Sequence, residues 1–339
     1  MLRVGIHGLG FMGMMHYLAY QQIEGVKVVA ICEVSEERRR GDWRSIKGNF
    51  GPSGTMMDLT GVSTYAESVN LFEDAEVDLV DICLPPGAHS ATAVEALNAG
   101  KHVVCEKPIA LTIEDAEQMV ETAKNKNKSF MVAQVLPFFP AYRFVYDSLQ
   151  SGRFGRLLGG HFDRVISEPV WLKNFYDMKT IGGPLLDLHI HDAHFIRLLF
   201  GLPDAVQSVG RLRNDVPEYF NTQFIYQNDN LVVTSTSGVI QQQGRPFMAR
   251  YEVHFEQATL VLNDAPPTIL TADGKVEKAN IPEMDEVGIF ASELREVTNS
   301  LKKQLISQIL GSELARDALI IALRERESIL QKKTVSTKS

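Results

Sequence analysis

The sequence predicts an α/β protein of two domains: an N-terminal domain on a parallel sheet, and a C-terminal α/β domain with a large, mostly antiparallel open sheet. Three observations carry this. Over about the first 125 residues, short apolar runs alternate with helical patterns, the signature of βαβ units. A glycine-rich turn, GLGFMG, joins the first such strand to the first helix. Past about residue 155, β-rich runs follow one another with only turn residues between them, as in an antiparallel sheet. We divide the chain at residues 1–130 and 131–339, a length ordinary for two domains.

In order, LRVGIHG reads as a strand and FMGMMHYLAYQQI as the helix that follows it. VKVVAICE, VDLVDICLP and HVVCEKP are the next strands, and KSFMVAQVLP is a fifth. HSATAVEALNAG is a helix that stops at Gly100, a glycine placed for a left-handed C′ position. TIEDAEQMVETAKNKN is a helix capped by Thr112, with Asp115 three residues on. In the second domain GRLLGGHFDRV, AVQSVGRLR, EYFNTQFIYQ, NLVVTSTSGVI, FMARYEVHFEQ and ATLVLN are strands. A helix interrupts them, entered at Gly183-Pro184 and stopped by Gly201 and Pro203. Residues 287 to 332 return to helix, and the short basic tail reads as a solvated end.

A net charge of −8 argues against a nucleic-acid or anionic-membrane surface, which needs a basic face. No apolar stretch is long enough to span a bilayer, and the first apolar run opens directly into structure, not a signal peptide. Cys32, Cys83 and Cys105 sit singly in apolar runs and read as buried thiols of a reducing compartment, hence a cytoplasmic protein.

Gly8, Gly10 and Gly13 form GxGxxG between a strand and a helix, with Phe11 and Met12 opening that helix. Glu33 ends the second strand, twenty residues after Gly13. Together these are the dinucleotide fingerprint of a Rossmann domain: glycines bring backbone N–H groups to the pyrophosphate, and the carboxylate accepts from the ribose hydroxyls. The charge of Glu33 would repel a 2′-phosphate, which favours NAD. Arg38, Arg39 and Arg40 either fold over such a phosphate, keeping NADP open, or form a solvated face balancing Glu36 and Glu37.

With CLPPGAHS, CEKP and GGPLLDLHIHD following that start in order, the chain resembles the Gfo/Idh/MocA oxidoreductases over about residues 2 to 330. The resemblance implies a Rossmann domain followed by a substrate domain whose open sheet commonly serves assembly, here as a homodimer or homotetramer. It implies that Pro85, Pro86 and His89 border the cofactor, with Glu106 and Lys107 of the EKP segment, and that Lys107 lies beside the reacting carbon. It further implies that Asp187 and His191 supply the proton acceptor. Two positions depart from many relatives: His194 stands where aspartate is common, and Pro137 where arginine is common. Both fall near the expected sugar pocket, so substrate identity does not transfer.

LLDLHIHDAH raises the question of metal chemistry. On a helix Asp187, His191 and His194 are spaced i, i+4, i+7 and share one stripe, whereas His189 and Asp192 point elsewhere. Zinc would need three or four converging ligands. That stripe could hold a metal, but we assign none and read Asp187 and His191 as proton-transfer residues. His189 and His194 taken singly read as histidines satisfied by hydrogen bonds. Gln134, Asp192, His194 and Trp171 are candidate substrate contacts, with Trp171 equally readable as core. The expected activity is NAD(P)-dependent oxidation of a secondary alcohol in a sugar, inositol or related polyol. His191 would take the hydroxyl proton and Lys107 stabilise charge on the oxygen. The alternatives are a redox-neutral glycoside-processing enzyme that uses NAD, and a non-catalytic sugar- or dinucleotide-sensing regulator; an intact Lys107, Asp187 and His191 weighs against the regulator.

Overall fold

A computed structural model describes residues 1–227 and 230–338. They pack as two compact units, residues 1–138 with 284–315, and residues 139–283 with 316–339. The change of unit thus falls some residues past 130, and the expected second domain gives up residues 284–315 to the first.

The first unit holds six strands: β1 (Leu2–His7), β2 (Val26–Cys32), β3 (Ser63–Tyr65), β4 (Leu79–Ile82), β5 (His102–Glu106) and β6 (Phe130–Ala133). They lie in the order β3-β2-β1-β4-β5-β6, all parallel. β4 and β6 are buried at every residue, which is why their apolar runs are continuous rather than alternating. Helices α1 (Phe11–Tyr20), α2 (Glu36–Arg39), α3 (Ser68–Glu73), α4 (His89–Asn98) and α5 (Ile113–Lys126) connect them. Strand order reverses between β1 and β4, so the carboxyl ends of those two strands open the crevice where such sheets bind ligands. The cap of α5 forms as expected: Thr112 Oγ1 accepts from the Asp115 N–H at 3.1 Å and donates to its carboxylate at 2.8 Å. Gly100 takes φ +81 after α4.

The second unit opens with α6 (Pro140–Gln150). Its sheet contains β7 (Leu157–Ser167), β8 (Ala205–Arg213), β9 (Val216–Ile225), β10 (Val232–Ile240), β11 (Met248–Phe255), β12 (Ala258–Leu262), β13 (Thr268–Thr271) and β14 (Val276–Lys278). β10 pairs parallel with β7, and the other pairs are antiparallel. One face buries Phe162, Phe220, Phe224 and Val233. The other carries a rung across five strands, Val209–Asn221–Thr236–Asp163–Arg250, polar at every position but Val209.

Three expectations change. The helix through LLDLHIHDAH is not uniform: Leu185–His189 form a π turn before α7 (Ile190–Phe200) resumes α geometry. Residues 287 to 332 are two helices, α8 (Glu286–Lys303) and α9 (Ser312–Gln331), because Gln304 turns left-handed at φ 53 and ends the first. The tail is not simply a solvated end, since β15 (Val335–Ser336) pairs with β8 and closes that edge of the sheet.

Candidate active site

Three glycines shape the nucleotide turn. Gly8 holds φ +95, and a Cβ there would meet the Cys83 carbonyl oxygen at 2.7 Å. A Cβ on Gly13 would fall 1.9 Å from the Gly8 carbonyl oxygen, so only glycine lets α1 start this close to β1. Gly10, the N-cap of α1, faces open space. A pyrophosphate would fill that space against the helix N-terminus. Phe11 packs edge-on against Phe50, ring centroids 4.9 Å apart; Met12 is half-buried.

Glu33 is nearly buried and already tied to the turn. One carboxylate oxygen accepts from the Leu9 N–H at 2.7 Å and the other from the Ser35 N–H at 2.9 Å. Each oxygen keeps a lone pair for a ribose hydroxyl. Arg38 donates to the Leu9 carbonyl at 3.0 Å and stands 3.9 Å from Glu33, so the solvated-face reading fails for this arginine. Arg39 donates to the Val34 carbonyl at 2.8 Å. Arg40 pairs with Glu36 and remains largely exposed, as a solvated face predicts.

After β4, Pro85 leads into a single turn, Pro86–Ala88, and then α4. His89 is wholly buried and lies 2.8 Å from both the Leu84 and the Pro108 carbonyl oxygens. Its ring therefore ties the main chain at Leu84 to that at Pro108. Burial keeps its pKa below the ordinary value. Glu106, the last residue of β5, accepts the Lys107 N–H at 3.0 Å. Gln134, just past β6, is wholly buried, and its amide oxygen and nitrogen have no hydrogen-bond partner among the described residues. A buried amide with both ends unmet is costly, and a bound ligand would satisfy it.

In the second unit, Asp187 lies inside the π turn and His191 and His194 on α7. Asp187 and His191 are half-buried and His194 is wholly buried. His189 turns away, as expected, and its Nε2 meets the Glu325 carboxylate at 3.1 Å. Burial, the largest single influence, would lower its pKa, but the charge and hydrogen bond of Glu325 together with Asp192 raise it on balance. Asp192 is not available to substrate. Both its oxygens hold the Arg164 guanidinium, at 2.6 and 2.9 Å, in a buried pair that Tyr142 joins at 3.4 Å. Trp171 is not core: it is 59% exposed, between the exposed Val170 and Leu172.

Sequence reading missed a buried set in the first unit: His16 and Tyr20 on α1, Asp81 on β4, Cys83 beyond it, and Glu293 on α8. The signal was present in Asp81, an acid in the middle of the apolar run VDLVDICLP.

A glycine-cradled helix start with a carboxylate at the end of the second strand defines a dinucleotide-binding protein. Residues 2–134 match the oxidoreductase family with an NAD-binding Rossmann fold, and residues 142–261 match the GFO/IDH/MocA C-terminal domain. The chain belongs to this oxidoreductase family. It is 27% identical to myo-inositol 2-dehydrogenase of Thermotoga maritima over 201 residues, 59% of this chain and 55% of that protein. It is 29% identical to levoglucosan dehydrogenase of Pseudarthrobacter phenanthrenivorans over 226 residues, 64% of this chain and 55% of that protein. These matches span about half the length of those relatives. A solved levoglucosan dehydrogenase, in complex with NADH and levoglucosan, shares the fold at a TM-score of 0.83, with 20% identity and both chains wholly covered. Among the described residues no helix is long and apolar enough to cross a membrane.

Proposed function

We propose that the protein is an NAD-dependent dehydrogenase acting on a secondary alcohol of a sugar, inositol or related polyol. The observation that carries this is the nucleotide turn, where Gly10 leaves room for a pyrophosphate while Glu33 is fixed beside it. Bound NAD⁺ would supply the hydride acceptor. The remaining work falls to side chains: His191 takes the hydroxyl proton as the carbonyl forms, and Lys107 stabilises charge developing on that oxygen. Asp187 orients the ring or holds a substrate hydroxyl. Gln134 spends its two unmet amide groups on ligand hydroxyls, while His194 and Trp171 bear on substrate affinity. The myo-inositol and levoglucosan dehydrogenases among its relatives support the substrate class. A screen of polyols and anhydrosugars with NAD⁺ and NADP⁺ tests the proposal. Reduced cofactor should form with at least one of them, and glycoside cleavage without net reduction would favour redox-neutral chemistry instead.

Glu33→Ala should weaken NAD⁺ binding and narrow the preference over NADP⁺, because it removes the ribose acceptor and its repulsion of a 2′-phosphate. Titration of both cofactors checks this. Tighter NADP⁺ binding by the unmodified protein, with Arg38 as phosphate partner, would reverse the choice.

Assembly through the open sheet face is part of the proposal. Val232 and Val209 are 69% and 67% exposed on it, but the face between them is polar: His161 bonds Thr234 at 2.7 Å and Asn221 bonds Thr236 at 3.1 Å. Thr234 and Thr236 thus already have partners within the sheet, so a partner would meet a wet, hydrogen-bonding surface. Sedimentation should show a dimer or tetramer at micromolar concentration, and a monomer there would refute this.

A further inference from the structure

His16 sits in the middle of the buried set noted above, with both ring nitrogens facing carboxylates. Nδ1 is hydrogen-bonded to Asp81 Oδ2 at 2.8 Å, while Nε2 lies 3.2 Å from Glu106 Oε1, a charge contact without hydrogen-bond geometry. With a carboxylate close to each ring nitrogen, the charged imidazolium is favoured over the neutral ring. Cys83 Sγ is 3.4 Å from Nδ1, and the Phe290 ring of α8 lies 5.9 Å away. Burial by itself would strip the proton, but Asp81, with Cys83 behind it, holds the pKa well above the ordinary value. Tyr20 and Glu293 complete the surroundings. Burial pushes both pKa values well up, which favours the uncharged form of each. The second oxygen of Glu106 accepts the Lys107 N–H at 3.0 Å.

We propose that His16 is a positioning residue for Lys107: clamped between Asp81 and Glu106, it fixes the carboxylate that holds the lysine's own backbone N–H. The chain of contacts starts on the helix behind the nucleotide turn and ends where β5 releases Lys107. Its relevance to turnover rests on the proposed role of Lys107. The clamp itself is a matter of local structure and is tested separately.

The experiment uses the full-length protein and His16→Gln, which keeps one donor and loses the charge. Amide hydrogen exchange of the segment around Glu106 and Lys107 should rise on the order of tenfold, while the rest of the sheet keeps its protection. NADH affinity should stay within about threefold, and kcat on the best polyol of the screen should fall by roughly ten- to a hundredfold with little change in KM. Glu106→Gln, which keeps an oxygen for the Lys107 N–H but loses the charge facing His16, should show the same local rise if His16→Gln does not fold. Unchanged exchange at Lys107 overturns the clamp, and so does exchange that rises equally across the whole sheet. Stoichiometric zinc in the purified protein also overturns it, because His16, Asp81 and Cys83 would then be ligands. If the unmodified protein oxidises no polyol, the dehydrogenase reading falls while the exchange result still decides the clamp.

Discussion

His191→Ala should lower turnover by roughly 10²–10⁴-fold, the usual cost of losing a general base. NADH should bind the variant as it binds the parent, because Gly8 to Gly13 and Glu33, the residues we propose for the dinucleotide, belong to the other unit. Lys107→Ala should do comparable damage through loss of charge stabilisation on the oxygen. His194→Ala should be milder and fall mainly on KM. Steady-state kinetics with fluorescence titration of NADH separates these effects. Dialysis against a chelator should leave turnover unchanged. Activity lost to EDTA and restored by zinc would instead make the α7 histidines ligands.

The largest stability effect is expected at Asp192. Its carboxylate meets Arg164 through two hydrogen bonds, and both side chains are buried. Asp192→Ala leaves a guanidinium in the interior without its counter-charge, which costs about 3–5 kcal/mol. Replacing both partners, as Arg164→Met with Asp192→Leu, should recover most of that, since a well-packed apolar pair is often as stable as the ion pair it replaces. Urea unfolding midpoints of the single and double variants check this. A double variant no more stable than Asp192→Ala would show that Arg164 contributes more than charge balance.

How much of this was legible depended on how local each signal was. GLGFMG and Glu33 could be read because turn, helix start and strand end lie within one βαβ unit, and each element repeats its own period. Thr112 and Asp115 were legible for the same reason. β3 is three residues of mixed polarity, STY, and offers no period to detect. β14 and β15 are similarly short, and their pairing is decided by neighbouring strands. The commitment of Asp192 to Arg164 links residues 28 apart, and that of His189 to Glu325 links residues 136 apart. Nothing in the local sequence of either histidine helix or strand announces such partners. The Trp171 ambiguity was of another kind, because an indole in a turn-rich stretch reads the same whether covered or bare.

The π turn at Leu185–His189 changes what a spacing means. A π turn closes its hydrogen bond one residue later than an α turn, so residues that enter it leave with a shifted angular phase. Asp187 belongs to the wide turn and His191 to the regular helix beyond it. Two chains can therefore carry the same Asp-x-x-x-His letters while one has this turn and the other an unbroken α-helix, and the aspartates would then point in different directions. Equivalence of such a pair between relatives is a property of helical phase as well as of alignment. For this helix a one-residue deletion upstream of His191 would act less as a shortening than as a rotation of everything before it.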